Sequence, residues 1–138
     1  LYLQAEALQN SGIDVDVILG AQSSSALVVE DTYKNLLQKE LYLATDDGSR
    51  GHHGFCTDLV QERLGARSYD VVYCCGPEPM MRIVSTMCLE KGIPTFVSLE
   101  KRMACGIGAC LSCIVETTQG RKRSCVDGPV FNAAEVIW

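Results

Sequence analysis

At 138 residues the chain is long enough for one ordinary domain or two small ones, and too short for most complete multi-cofactor enzymes. Hydrophobic residues at 47% against 21% charged, with 12 glycines and 4 prolines, describe a globular chain with a buried core and exclude collagen and disorder. The net charge of −5, with one basic run at Arg121-Lys122-Arg123, excludes a broad nucleic-acid footprint, and no apolar run approaches the ~20 residues that cross a bilayer.

No basic-then-apolar signal peptide opens the sequence, so the expected setting is soluble and cytoplasmic, without membrane or nucleic-acid partners. The first residue is Leu1 and a helical pattern is already under way, which reads as a fragment of something longer.

Residues 2 to 11 read as the end of a helix, since Leu1, Ala5 and Leu8 recur at helical spacing, with Gly12 placed to end it. Ile13 to Leu19 alternates apolar and acidic residues and predicts a strand. Ser23-Ser24-Ser25 predicts the N-cap of a helix running to about Gln38, and Glu40 to Thr45 a short strand. Asp46 to Gly54 is a loop, Phe55 to Leu64 a helix and Asp70 to Cys75 a buried strand. Pro79 to Lys91 is a helix closed by Gly92, and Thr95 to Leu99 a strand. Strands alternating with helices predict an α/β fold, a partial doubly wound parallel sheet that offers ligands the C-terminal ends of its strands.

After Leu99 the pattern turns to cysteines and glycines, then to a hairpin from Ile114 to about Arg123 through Gln119-Gly120. Residues 1 to 98 hold 7 basic and 13 acidic side chains, whereas 99 to 138 hold 5 and 4, so the acidic excess stops at the same place. The expected division is 1–98 as one domain and 99–138 as a small β-rich one.

Eight cysteines at uneven spacing do not make a disulfide framework. Cys105, Cys110 and Cys113 follow C-x4-C-x2-C, with Cys125 beyond them, the ligand order of plant-type [2Fe-2S] ferredoxins. Thiolates are soft ligands suited to iron, and Gly106 and Gly108 let the backbone curl round inorganic sulfide. Zinc is the competing metal, although four-cysteine zinc sites usually present two C-x2-C knuckles and only Cys110 with Cys113 forms one here. A thioredoxin-like pair at those two positions leaves Cys105 and Cys125 unexplained. Cys56, Cys74 and Cys88 lie in apolar contexts and are assigned to packing. Cys75 stands apart because Gly76-Pro77 follows it at the ligand-facing end of a strand.

No G-x-G-x-x-G motif is present. Two weaker signals follow strands: Thr45-Asp46-Asp47-Gly48-Ser49, with Gly51 and Gly54 beyond it, and Cys75-Gly76-Pro77-Glu78. Both suit a dinucleotide at the sheet edge, and ordinary strand-to-helix turns account for them equally well. His52 and His53 read as solvated, and Arg121-Lys122-Arg123 as an exposed hairpin turn.

The run Ser98 to Cys110 (SLEKRMACGIGAC), with Cys113 and Cys125-Val126-Asp127-Gly128-Pro129-Val130-Phe131, resembles the electron-transfer subunit of NAD-dependent (class 1B) dihydroorotate dehydrogenase. The TDDGS and CGPEPMM segments resemble the nucleotide domain of that subunit and of ferredoxin reductases generally. The resemblance covers almost the whole chain and implies an FAD-binding β-barrel, an NAD-binding domain and a [2Fe-2S] domain. Here it matches an N-terminally truncated NAD-binding domain at 1–98 and the cluster domain at 99–138. The barrel, the first strand of the nucleotide domain and the glycine-rich turn after it have no counterpart, which predicts poor stability for the chain alone.

The resemblance further implies NAD contacts at Thr45, Asp46, Asp47, Gly48, Ser49, Cys75, Gly76, Pro77 and Glu78, cluster ligands at Cys105, Cys110, Cys113 and Cys125, and FAD held mostly by the absent barrel. Nicotinamide exchanges a two-electron hydride and a [2Fe-2S] cluster one electron at a time, so a flavin has to stand between them. The implied partner is an FMN-containing dihydroorotate dehydrogenase catalytic subunit, in a heterotetramer serving pyrimidine synthesis. No residue of this chain is expected to be catalytic towards dihydroorotate. Rival expectations are the small subunit of a sulfide dehydrogenase or of an NADH-dependent ferredoxin:NADP oxidoreductase, some of which carry aspartate where this chain has Cys105. A zinc-stabilised interaction module is the rival of another class.

Overall fold

The computed structural model describes residues 1–138, which divide into two compact units, Leu1–Arg67 and Ser68–Trp138.

In the first unit Tyr2–Asn10 forms helix α1, ended as expected by Gly12 at φ +74°. Strand β1 (Ile18–Ala21) pairs in parallel with β2 (Tyr42–Thr45), Ile18 opposite Tyr42, and β2 pairs in parallel with β3 (His52–His53). Helix α2 (Glu30–Leu37) packs beside α1, and α3 (Cys56–Ala66) packs on β1 and β2. Ala5, Tyr33, Leu37 and Leu41 form the core of the unit, with the Tyr2 and Tyr33 rings meeting edge to face at 5.6 Å.

The strand expected over 13 to 19 begins only at Ile18. Asp14 and Asp16 are held by ion pairs rather than by a ladder: Lys39 reaches them at 2.7 and 2.9 Å, and Arg67 at 3.0 and 3.2 Å. The helix expected from the serine cluster is also broken. Ser24–Ala26 makes a 3-10 turn, and α2 starts afresh at Glu30 with Glu30 and Asp31 in its first turn. The Ser23 and Ser25 hydroxyls bond each other at 2.9 Å instead of capping a helix. Asp46 to Gly54, expected as loop throughout, contains β3, because Gly54 donates to the Thr45 carbonyl and draws the two histidines beside β2.

Asp14 is held below the ordinary carboxylate range, first by its hydrogen bond from Lys39 and then by that from Arg67. A depressed folded-state pKa stabilises above the unfolded value, and the contribution is lost as pH falls through the folded one. The urea midpoint of the chain is therefore expected to fall on acidification below about pH 4, and Asp14→Asn to show less of that fall. Identical acid limbs for the two proteins would remove Asp14 from the account.

In the second unit β4 (Val72–Cys75) pairs in parallel with β5 (Thr95–Ser98), Val72 opposite Thr95. Helix α4 (Glu78–Glu90) covers both strands with Met81, Val84, Ser85 and Cys88, the i, i+3, i+4, i+7 stripe of an amphipathic helix. The hairpin β6 (Ile114–Thr117) and β7 (Gly120–Arg123) is present, followed by a short helix α5 (Ser124–Asp127). Strand β8 (Val130–Asn132), not foreseen from sequence, returns antiparallel to β5 with Val97 opposite Phe131. The α/β reading holds, with parallel pairing in both units, but β8 makes the second sheet mixed and the strands form separate sheets. The strand expected as buried over 70 to 75 is half-buried, with Cys74 inside and Cys75 exposed. No helix is long and apolar enough to cross a membrane.

Candidate iron–sulfur cluster site

The cysteine loop is anchored at both ends by one buried residue, Ser124. Leu99 continues β5 and donates its N–H to the Pro129 carbonyl at 2.9 Å. The Ser124 hydroxyl donates to the Leu99 carbonyl at 2.6 Å, while the Ser124 N–H donates to the Cys113 carbonyl at 2.9 Å. Residues 100 to 112 thus span a closed gap. Between these ends the backbone enters the left-handed region at Gly106 (φ +70°), Gly108 (φ +79°) and Leu111 (φ +58°). Gly108 is needed twice over, since a Cβ there would lie 2.8 Å from the Val126 side chain and 3.0 Å from the Arg123 guanidinium.

Cys113 is buried, Cys110 exposed, and Cys105 and Cys125 half-buried. The sulfurs of Cys113 and Cys125 are 3.3 Å apart, and the Cys110 N–H points at the Cys105 sulfur at 3.4 Å. The Ser112 hydroxyl lies 3.0 Å from the Cys110 sulfur. These bonds favour thiolates: Cys110 is lowered to about 6, first by the Ser112 hydroxyl, and Cys113 is lowered, first by the Cys125 N–H. Cys125 is raised, first by its hydrogen bond with Cys113. No three Cys, His, Asp or Glu side chains converge on a single point as a one-metal site needs. The chemistry of the set nevertheless fits a polynuclear thiolate cluster: four thiols in one chain segment, linked pairwise, with glycines at positive φ between them.

The other expected site residues fall in two turns. At the end of β2, Thr45 is fully buried and its hydroxyl both donates to the Arg50 carbonyl and accepts the Arg50 N–H, at 2.9 and 3.0 Å. The Asp47 carboxylate accepts from the Ser49 N–H and hydroxyl at 2.9 and 2.6 Å, and the Ser49 oxygen accepts the Ser24 N–H at 2.8 Å. Gly48 takes φ +72°, and Asp46 is exposed. Three of these polar side chains therefore hold the turn itself, and the Asp46 carboxylate faces outward. In the second unit Cys75 is exposed at the end of β4, Gly76 takes φ +153° against Met80, and Pro77 leads into α4. Glu78 pairs with Lys101 at 2.8 Å, which ties this turn to the start of the cysteine loop.

Sequence reasoning missed Ser112, Arg123 and Ser124. Ser112 was legible only as a polar residue inside C-x2-C, and Ser124 only as the neighbour of Cys125. Arg121-Lys122-Arg123 lies in the returning strand β7 expected through Arg123, not in an exposed turn, and its charges are paired: Arg121 with Glu116, Lys122 with Glu135 and Arg123 with Asp127. His52 and His53 are exposed, and His52 meets Asp58 at 3.1 Å. Cys74 and Cys88 are buried in packing, and Cys56 is half-buried against Gly20.

Residues 100–137 match the model of the iron–sulfur cluster binding domain of dihydroorotate dehydrogenase B. A Geobacillus protein named dihydroorotate dehydrogenase B (NAD(+)), electron transfer subunit, is 41% identical over 140 residues, taking in 99% of this chain and 52% of the relative. Over 99% of its length the chain is similar to this family of electron transfer subunits. A Clostridium acetobutylicum protein of the same name is 52% identical over 99 residues, which is 72% of this chain and 39% of that one. A solved structure described as an NADH-dependent reduced ferredoxin-NADP oxidoreductase, studied for flavin-based electron bifurcation, superposes with a TM-score of 0.85 at 34% identity, covering 99% of this chain and 49% of its own. The chain thus spans about half the length, or less, of these similar proteins.

Proposed function

We propose that the chain is part of an electron-transfer subunit that carries electrons from a dihydroorotate-oxidising FMN subunit to NAD in pyrimidine synthesis. The observation that carries this is the loop from Leu99 to Cys113, closed by Ser124, which gathers Cys105, Cys110 and Cys113 with Cys125 inside the segment that the cluster-domain model matches. Those four cysteines are the proposed ligands of a [2Fe-2S] cluster. Bound there, such a cluster supplies one-electron transfer, which requires FAD between it and the two-electron nicotinamide.

The residues of this chain bind and orient. Cys110 and Cys113 offer lowered thiols, Cys113 from a buried position, and Arg123 donates to the Gly108 carbonyl at 3.4 Å and steadies the glycine turn. Thr45, Asp46, Asp47, Gly48 and Ser49 at the end of β2, and Cys75, Gly76, Pro77 and Glu78 at the end of β4, are the proposed NAD contacts. Their support is position at the C-terminal ends of parallel strands. The division at Leu99 into a nucleotide domain and a cluster domain belongs to the same reading, supported by the family model's span of 100–137. FAD is assigned mainly to sequence outside these 138 residues, and the cytoplasm is the proposed compartment, since thiolate ligands of this kind require reducing conditions.

Apolar side chains along the cysteine segment support a protein partner: Met103, Ile107, Leu111, Val126 and Val130 are all at least half exposed, Ile107 to 78%. The proposed occupant is the FMN subunit, in a heterotetramer. A second reading, a subunit of a bifurcating ferredoxin-NADP oxidoreductase, is favoured by the structural likeness alone.

The test is an anaerobic visible and EPR spectrum of the purified chain before and after dithionite, with iron and sulfide assayed. A bleaching chromophore with a rhombic signal is expected. A colourless, zinc-containing chain after reconstitution would sink the proposal. Co-purification of the full-length protein with a dihydroorotate-oxidising subunit separates the two partner readings.

A further inference from the structure

We propose that Ser112 is a positioning residue for electron transfer: its hydroxyl donates a hydrogen bond to the Cys110 sulfur and thereby raises the reduction potential of the centre. The inference rests on the cluster reading given above. Ser112 lies between two of the proposed ligands, and its oxygen is 3.0 Å from the Cys110 sulfur. Two further contacts fix where that oxygen stands, since it accepts the Ala104 N–H at 3.4 Å and has the Arg102 carbonyl at 3.3 Å.

A hydroxyl has one proton to give and two lone pairs with which to accept. While Cys110 is a thiol, its S–H can donate to the Ser112 oxygen, which leaves the Ser112 proton for the Arg102 carbonyl. As an iron-bound thiolate, Cys110 has no proton and can only accept. The hydroxyl proton then has a charged acceptor at 3.0 Å in place of a neutral one at 3.3 Å, and hydrogen bonds to charged acceptors are the stronger ones. The Ala104 N–H keeps the oxygen anchored through this reorientation.

Reduction adds one negative charge, part of which resides on the ligand sulfurs. A donor aimed at one of those sulfurs stabilises the reduced form more than the oxidised form, and the potential rises. The Ser112 N–H also reaches Cys110 and survives any side-chain substitution, so truncating the side chain isolates the hydroxyl.

The experiment is an anaerobic EPR-monitored redox titration of the reconstituted full chain as wild type, Ser112→Ala, Ser112→Thr and Ser112→Val, with iron content measured for each. Ala is expected to lower the reduction equilibrium constant by about tenfold, which is about 59 mV for a one-electron couple. Thr, which keeps the hydroxyl, should stay near wild type, and Val, which has the shape of Thr without its hydroxyl, should follow Ala. The Thr and Val pair carries the test if Ala loosens the loop. Loaded Ala and Val variants at the wild-type potential, or a Thr variant shifted as far as Val, would overturn the role of Ser112 alone. A wild-type chain without a reducible iron–sulfur signal would overturn the cluster reading beneath it.

Discussion

Replacing Cys113 by alanine is expected to bring iron and sulfide to background and to abolish both the visible absorption and the dithionite-induced EPR signal. Cys113 is 2% exposed, its sulfur is 3.3 Å from that of Cys125, and its carbonyl accepts the N–H of the residue that closes the loop. Removal of this thiolate takes away the one proposed ligand that is fully inside the unit, and with it the 3.3 Å sulfur contact to Cys125. Cys88→Ala is the matched comparison. Cys88 is wholly buried on α4, so its truncation leaves a small cavity that costs about 1 kcal/mol while the cluster segment is untouched. Iron assay and urea denaturation should therefore separate the two variants cleanly. A Cys113→Ala chain that retains full iron and its spectrum would remove Cys113 from the ligand set.

Gly51→Ala should be the most destabilising single-methyl change in the first unit. Gly51 holds φ +69°, and an added Cβ would run into the backbone carbonyl of Leu43 on β2, which cannot swing aside as a side chain could. Gly12 gives the control, with φ +74° and nothing within 4 Å of the added atom. Ala at position 12 therefore carries left-handed strain alone, about 1 kcal/mol, whereas Ala at 51 adds displacement of the β2 backbone, about 3 kcal/mol in all. Urea midpoints followed by circular dichroism measure the difference. Equal losses at the two positions would mean that the Leu43 carbonyl yields without cost.

The elements most legible in the sequence were those whose signals were local. Gly12 and Gly92 end α1 and α4 where expected, both with positive φ, because a left-handed residue after a helix is a need that glycine meets by itself. The cysteine spacing was legible for the same reason, since the ligands follow one another within a short segment. Elements that depend on distant partners were misread. The alternation of Asp14 and Asp16 imitates a strand, but Lys39 and Arg67, 23 to 53 residues away, decide their conformation. Val130-Phe131 is too short a run to announce a strand, and β8 exists because β5 offers it an open edge. The role of Ser124 was not readable beyond its place beside Cys125, because its two hydrogen-bond acceptors lie 25 and 11 residues earlier in the chain.

The hydroxyl and amide of Ser124 bring Leu99 and Cys113 together through the protein's own contacts. The entropy of closing that loop is thus met during folding and is not charged to metal capture. Assembly of the proposed cluster would then resemble the filling of a preformed cup more than the coupled folding of a small zinc domain, with affinity gained through preorganisation. Ser124→Ala keeps the amide bond to Cys113 but loses the hydroxyl tie to Leu99, so it would return part of that closure cost to the assembly step, and the chain would load iron more slowly and release it more readily to a chelator while its two parallel strand pairs stayed intact.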